Sequence, residues 1–323
     1  MSAVWNDYRH VRGVDASVVC LGNFDGMHRG HQSIIRETFM YAKRQRIMSC
    51  LMTFDPHPAH VLNQNRNLRL ILSTQEKAQL IQAMPFDITL LQQFDRPFSQ
   101  MTAEAFVEQV LIQSLKAKMI MVGANFRFGF EAKGNVDLLR SYTELEIKSG
   151  DLIEREGGVV SSSRIRSTLL QGDVDIAEDL LGYPYFASGV VVHGDGRGIQ
   201  LGFPTANVEV SKDLILPFGV YGGFVECLDT KEIAVAAINF GVKPTFSALK
   251  PSLEAHLLDF DGDLYGRHVR IHFKKQIRSE QRFTTVEQLV RQIGEDVNSV
   301  RSLLELKKFQ HTEDCLKGWL EGL

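Results

Sequence analysis

Strand-like and helix-like apolar patterns alternate through the first half of this chain, and after Gly182 strand patterns take over. Residues 17–21 form a short β-rich run ending at Gly22, and 32–46 have helical spacing with Ile35, Phe39 and Ala42 on one face. Residues 47–54 read as a second strand. Ser73-Thr74-Gln75-Glu76 is a capping box opening a helix through Met84, and 88–91 read as a third strand. A helix over 102–115 and a strand over 119–122 continue the order. Such βαβ alternation predicts an α/β domain with a doubly wound parallel sheet and ligands at the carboxyl ends of its strands.

The second half reads differently. Residues 188–193, 233–239, 253–258 and 269–273 are strand-like and separated by Gly, Pro and Asp turns, and the next strong helix opens at Val286. This predicts a C-terminal antiparallel β-barrel-like domain with terminal helices. A chain of 323 residues accommodates two domains. The boundary is expected at Tyr183–Phe186, giving domains 1–183 and 184–323. The last helices either cap the second domain or offer a partner surface, and the oligomeric state is left open.

Charge and cysteine usage narrow the class. A net charge of −3 argues against a broad nucleic-acid or anionic-membrane face, since those need clustered cations. No apolar run approaches the ~20 residues of a membrane span, and residues 1–10 lack the apolar core of a secretory signal. Cys20, Cys50, Cys227 and Cys315 form no C-x-x-C pair, which points to free thiols and a reducing, cytoplasmic setting.

Two motif sets carry chemistry. The first is Gly22-Asn23-Phe24-Asp25-Gly26-Met27-His28-Arg29-Gly30-His31, directly after a strand and opening a helix. A helix N-terminus presents unpaired N–H groups and a positive dipole end, which suits polyphosphate. His28 and His31, three residues apart, can both face one ligand there, and Gly30 allows close backbone approach. Farther on, Ser161-Ser162-Ser163-Arg164-Ile165-Arg166 supplies hydroxyls and guanidiniums before a helical stretch. Phe54, Pro56, His57 and Pro58, and then Asn125, Phe126, Arg127 and Phe128, follow predicted strands and fall on the ligand-bearing edge. Aromatics with Asn and Arg suit a flat heterocycle.

The second set begins with Gly194-Asp195-Gly196-Arg197-Gly198 after a strand, a phosphate-cradling glycine pattern without a Walker G-K-[ST]. Gly202-Phe203-Pro204-Thr205-Ala206-Asn207 then puts a hydroxyl and a carboxamide on one side of an extended segment. Both are hard oxygen donors suited to Mg²⁺ bridging ATP phosphates. Glu254 and His256 share a face of a later strand, the histidine being expected in a structural role.

H-x-G-H after a strand and glycine turn resembles the nucleotidyltransferase superfamily, and Val160–Arg166 resembles its I-S-S-T-x-x-R element with Ser163 for Thr. The full set resembles bacterial bifunctional riboflavin kinase/FAD synthetases. The second half adds G-x-P-T-A-N, Gly219-Val220-Tyr221, Asn239-Phe240-Gly241 with Pro244-Thr245, Leu253–His256, Asp263–Gly266, and Ile277-Arg278…Phe283. The resemblance implies phosphorylation of riboflavin by ATP to FMN, then adenylylation of FMN to FAD, with Mg²⁺ at both sites. It implies Glu254 as the base on the ribityl hydroxyl, and His28, His31 and Arg166 as stabilisers of attack at the α-phosphorus. Gly22–Gly26, Gly30, Ser161–Ser163 and Gly194–Gly198 would hold ATP, Thr205 and Asn207 the metal, and Phe54, Pro56, His57, Pro58, residues 125–128 and Arg278 the flavin. Ala124 departs from the family's usual acidic residue, and Phe240 from its usual Ile. A flavin-carrying redox protein would leave H-x-G-H and the serine/arginine element without a purpose. A chain with one live activity and one regulatory flavin domain is a further rival.

Overall fold

The computed structural model describes residues 3–62, 68–155, 157–244, 249–305 and 308–318. The chain divides into two compact units. One comprises residues up to Leu68, Leu72–Ser162 and the segment from Glu313, and the other comprises Arg69–Ile71 and Ser163–Thr312.

The first unit is built on six strands. These are β1 (Ala3–Trp5), β2 (Ser17–Leu21), β3 (Met48–Asp55), β4 (Ile88–Gln93), β5 (Ala117–Gly123) and β6 (Glu146–Gly150). They pair all-parallel in the order β1-β4-β3-β2-β5-β6. Every residue of β2 is buried, as a central strand covered on both faces requires. Strands β3 and β5 flank β2, and the chain winds outward from it in both directions. The topological switch therefore lies between β2 and β5, where a ligand crevice opens at their carboxyl ends.

Element edges differ from expectation in places. The helix after β2, α1, spans Arg29–Gln45. The capping box is present in full, with Glu76 N–H donating to Ser73 Oγ and Ser73 N–H to Glu76 Oε2, ahead of the helix Thr74–Gln82. The helix expected over 102–115 begins as one turn at Ala103–Ala105 and continues with π-helical bonding over Phe106–Ser114. A two-stranded hairpin, β7 (Glu154–Arg155) with β8 (Gly158–Val159), precedes the serine/arginine element.

The second unit is a closed antiparallel barrel. Its strands are β9 (Phe186–Val192), β10 (Ala206–Val210), β11 (Gly219–Cys227), β12 (Ile233–Pro244), β13 (Leu249–Leu257) and β14 (His268–Ser279). They run β10-β13-β12-β11-β14-β9 and close through β9–β10. Closure removes exposed sheet edges. The helices Ser162–Gln171 and Val174–Leu181 group mainly with this unit, and the helix Val286–Leu303 follows β14. Both architectures match the sequence expectation: a parallel α/β unit, then a barrel with terminal helices.

Candidate active sites

In the first unit, the loop after β2 is held in a strained shape. Phe24 and Met27 have φ of 51° and 37°, beside Gly26 at 83°. The strain is supported from several sides. Phe24 is 1% exposed, Gln32 Nε2 donates to the Met27 carbonyl at 2.8 Å, and Asp25 Oδ1 accepts from Leu72 N–H at 3.3 Å. Non-glycine residues in this region cost energy that the surrounding contacts must offset.

His28 caps α1. Its Nδ1 accepts the His31 backbone N–H at 3.4 Å, which places the proton of the neutral ring on Nε2. The two imidazoles stack with centroids 3.7 Å apart, and Phe24 meets His31 edge-on at 5.2 Å. The sequence thus aims both histidines at the helix mouth, as the i, i+3 spacing allows. Burial, then the His28 and Lys77 charges, hold His31 well below the usual histidine range, so it is neutral in the free protein. His31 Nδ1 is buried without a hydrogen-bond partner, and a polyanion at the helix mouth would favour the protonated ring.

The neighbouring loops converge on this point through sheet register. Leu21 pairs with Met52 of β3 and with Val122 of β5, so the loops after all three strands open on one edge. Ser162 Oγ donates to the Asp25 carbonyl at 2.8 Å, tying the first unit's last serine of the serine/arginine element to the loop after β2. Arg166 lies farther along that element, in the second unit, where its Nε donates to the Arg69 carbonyl at 3.0 Å.

The aromatic residues divide. Phe54 and Phe128 are core side chains, packed against Phe94 and Phe106 respectively. Asn125 and Arg127 are exposed, and with Phe126 they line a polar pocket of about 370 Å³ completed by Asn135, Arg140 and Ser149. His57 caps the short helix that begins at Pro58, with Nδ1 accepting from Ala59 N–H at 3.2 Å.

One residue at this edge has no place in the motifs. Lys77, 6% exposed, reaches from the helix Thr74–Gln82 to donate to the Phe54 carbonyl at 2.8 Å. It also lies 3.4 Å from both the Asn23 carbonyl and Thr53 Oγ1. Its only sequence signal is a lysine on the apolar face that also presents Leu80 and Ile81, both buried.

In the second unit, barrel register assembles a row. Asn207 opposes Glu254, Glu254 opposes Asn239, Asn239 opposes Val220, and Val220 opposes Arg278. Directly opposed residues share a face. Their neighbours Leu253, Ala255, Ile238 and Tyr221 point into the barrel, each 3% exposed or less. The row therefore lies on the barrel's outer face, with Glu254 and Asn207 half-buried. Residues far apart in sequence are thus brought to one surface, which strand spacing alone could not show.

The glycine loop closes against this row. A Cβ on Gly194 would sit 2.1 Å from Asn207 Nδ2, and one on Gly198 would sit 2.4 Å from the Phe203 carbonyl and 3.1 Å from Thr205 Oγ1. Gly196 at φ 69° starts a single helical turn, Arg197–Gln200, inside what reads from sequence as a plain loop. His256 Nδ1 donates to the Pro204 carbonyl at 2.8 Å, and its ring meets Phe203 edge-on at 5.5 Å. Its structural role is thus to hold the segment carrying Thr205 and Asn207. Thr205 lines a second pocket with Val191, Phe260 and Tyr265. Arg278 is held bidentately by Asp296 of the last long helix, at 2.8–3.0 Å. Thr245 lies outside the described residues.

Comparison with known proteins agrees with this division. A family model for FAD synthetase matches residues 12–164, and one for riboflavin kinase matches 181–304. A bifunctional riboflavin kinase/FMN adenylyltransferase of Escherichia coli K12 is 35% identical over 298 residues, 91% of this chain and 95% of that protein. The Bacillus subtilis 168 protein of the same description is 35% identical over 90% of this chain and 94% of its own length. The chain belongs to the bifunctional riboflavin kinase/FMN adenylyltransferase family. A solved Streptococcus pneumoniae structure, described as a macrolide-efflux protein, matches with a TM-score of 0.85 at 31% identity, over 94% of this chain and 99% of that one. Among the described residues here, no helix is long and apolar enough to cross a membrane.

Proposed function

We infer that the barrel unit phosphorylates riboflavin with ATP, giving FMN and ADP. The parallel-sheet unit then joins FMN to the adenylyl group of a second ATP, giving FAD and pyrophosphate. The observation that carries this reading is that one chain holds both matched spans, 12–164 for FAD synthetase and 181–304 for riboflavin kinase.

For phosphoryl transfer, Glu254 accepts the proton of the ribityl 5′-hydroxyl as that oxygen attacks the γ-phosphorus. The Gly194–Gly198 loop cradles the phosphates. Thr205 Oγ1 and the Asn207 carboxamide are oxygen donors that fit Mg²⁺, which when bound neutralises phosphate charge. Gly194 and Gly198 support that fit, because side chains there would displace both donors. Arg278 contributes to the flavin side of the row from its anchor on Asp296.

For adenylyl transfer, an FMN phosphate oxygen attacks the α-phosphorus and pyrophosphate leaves. His28 and His31 stabilise the added negative charge by hydrogen bonding and electrostatics, with no covalent enzyme intermediate; for Arg166 the same role rests on the family resemblance alone. Backbone N–H groups of Gly22–Gly26 and the start of α1, with the hydroxyls of Ser161–Ser163, hold the triphosphate. Mg²⁺ is expected at this site also. Asn125, Phe126 and Arg127 hold the flavin, with Phe54, Phe128 and residues 56–58 shaping the wall. The functional boundary is placed near 183. The four free thiols support a cytoplasmic setting.

The test is a pair of substitutions read by chromatography of flavins. Glu254→Gln should stop FMN formation from riboflavin while FAD still forms from supplied FMN, and His31→Ala should do the reverse. FMN formation by the Glu254→Gln protein at the wild-type rate removes the base assignment.

A further inference from the structure

A buried lysine at the first unit's sheet edge, Lys77, belongs to neither motif set, and its bonds link the main chain of the loop after β2 to the end of β3. Asn23 lies in the loop that ends at His28, and Phe54 immediately precedes Asp55-Pro56-His57-Pro58. Lys77 Nζ touches the main chain of both, at 3.4 Å and 2.8 Å, and Thr53 Oγ1 closes the triangle by donating to the Asn23 carbonyl at 3.1 Å. Bonds from an ammonium to carbonyls are stronger than neutral ones. The cation is carried on a fully capped helix, so its position is set by the scaffold.

We propose that Lys77 is a positioning residue for adenylyl transfer, clamping the loop after β2 to the end of β3 and adding its charge to the surroundings of His31. The inference rests on the assignment of adenylyl transfer to the His28–His31 site. The charged groups facing Lys77 are Asp25 from the loop after β2, Asp55 at the end of β3, and the histidines of α1, of which His31 feels its charge directly. Asp55 also accepts from Thr74 Oγ1 at 2.9 Å, tying it to the same helix.

Burial pushes Lys77 down to about 8, with Asp25 and Asp55 opposing the fall. The clamp is therefore charged at neutral pH and loses its charge as pH rises through about 8. His31 stays neutral through that step, because its burial outweighs the Lys77 charge that also disfavours its protonation. A lysine that merely filled space would not make the clamp depend on pH.

The experiment measures kcat/KM for ATP in FAD formation from FMN between pH 6.5 and 9.5, with riboflavin phosphorylation by the same protein as the internal reference. The wild-type profile should fall with an apparent pKa near 8 for FAD formation only. A flat profile overturns the proposal without any variant. Lys77→Met should lower FAD formation about 100-fold, the scale expected when loop misplacement spoils alignment. His31, followed by NMR with labelled histidine, should titrate at higher pH in that variant. Lys77→Arg should restore part of the rate and lack the alkaline fall, since a guanidinium does not titrate there. Lys77→Met with a wild-type rate and an unmoved His31 titration contradicts the inference, while the His31→Ala result tests the underlying assignment separately.

Discussion

At the scale of single residues, the glycines and histidines show how far chemistry can be read before geometry is known. The i, i+3 spacing of His28 and His31 was enough to place both rings at a helix mouth, and the stacked pair 3.7 Å apart is its realisation. Gly194 and Gly198 read from sequence as a phosphate-type loop, but the close approach of Gly194 to Asn207 and of Gly198 to the Phe203 carbonyl appears only in the fold. That contact yields a prediction. Gly198→Ala would force its Cβ against the Phe203 carbonyl, shifting Thr205, and should reduce FMN formation at least about tenfold. Initial rates with riboflavin and ATP would read it, while FAD formation from supplied FMN should stay within twofold of wild type, by about the usual tolerance for a distant change. Lys77 was hidden for the opposite reason. A lysine near a helix start is ordinary in sequence, and only its burial among Phe54, Asn23 and Thr53 makes it conspicuous.

At the scale of elements, periodicity gave the parallel sheet its central strands because β2, β3 and β5 are continuous apolar runs between glycine, proline and helix signals. It missed β11, whose nine residues are all buried and include the pair Gly222-Gly223, so no alternation is visible. It also missed β10, which is masked by the G-F-P-T-A-N string immediately before and within it. Strand β11 carries Glu226, which is 1% exposed. His272 of β14 lies 3.2 Å from its Oε2, and His311 lies 2.8 Å from its Oε1. Arg270 lies 3.8 Å away. Burial raises the Glu226 pKa, but the His272 bond and charge, with Arg270 and His311, outweigh it and bring it to about 2. That is below the ordinary 4.5, so its stabilising contribution is complete above about pH 4.5 and is lost as pH falls toward 2. Glu226→Gln should cost about 3–5 kcal/mol, as removing one member of a buried charged cluster does. It should also flatten the acid limb of barrel stability. Denaturant unfolding from pH 7 down to 3 checks both, and an unchanged acid limb in the variant would remove Glu226 as its source.

At the scale of the whole molecule, the switch from βαβ alternation to strands made two folds legible, and the architecture agrees. Strand order was not legible, because which strands pair is a long-range choice that local spacing does not encode. The consequence is functional. The row Asn207–Glu254–Asn239–Val220–Arg278 exists only once five strands are in register, and the first crevice only once β2 lies between β3 and β5. Chain order also runs opposite to reaction order, the later unit making the substrate of the earlier one. The most direct measurement is a time course of the intact chain with riboflavin, excess ATP and Mg²⁺, resolving flavins, ADP and pyrophosphate together. FMN should rise and then decline as FAD accumulates, with one ADP and one pyrophosphate released for each FAD. Riboflavin that remains bound and unconverted, or FMN that accumulates without pyrophosphate, would contradict two active sites in one chain.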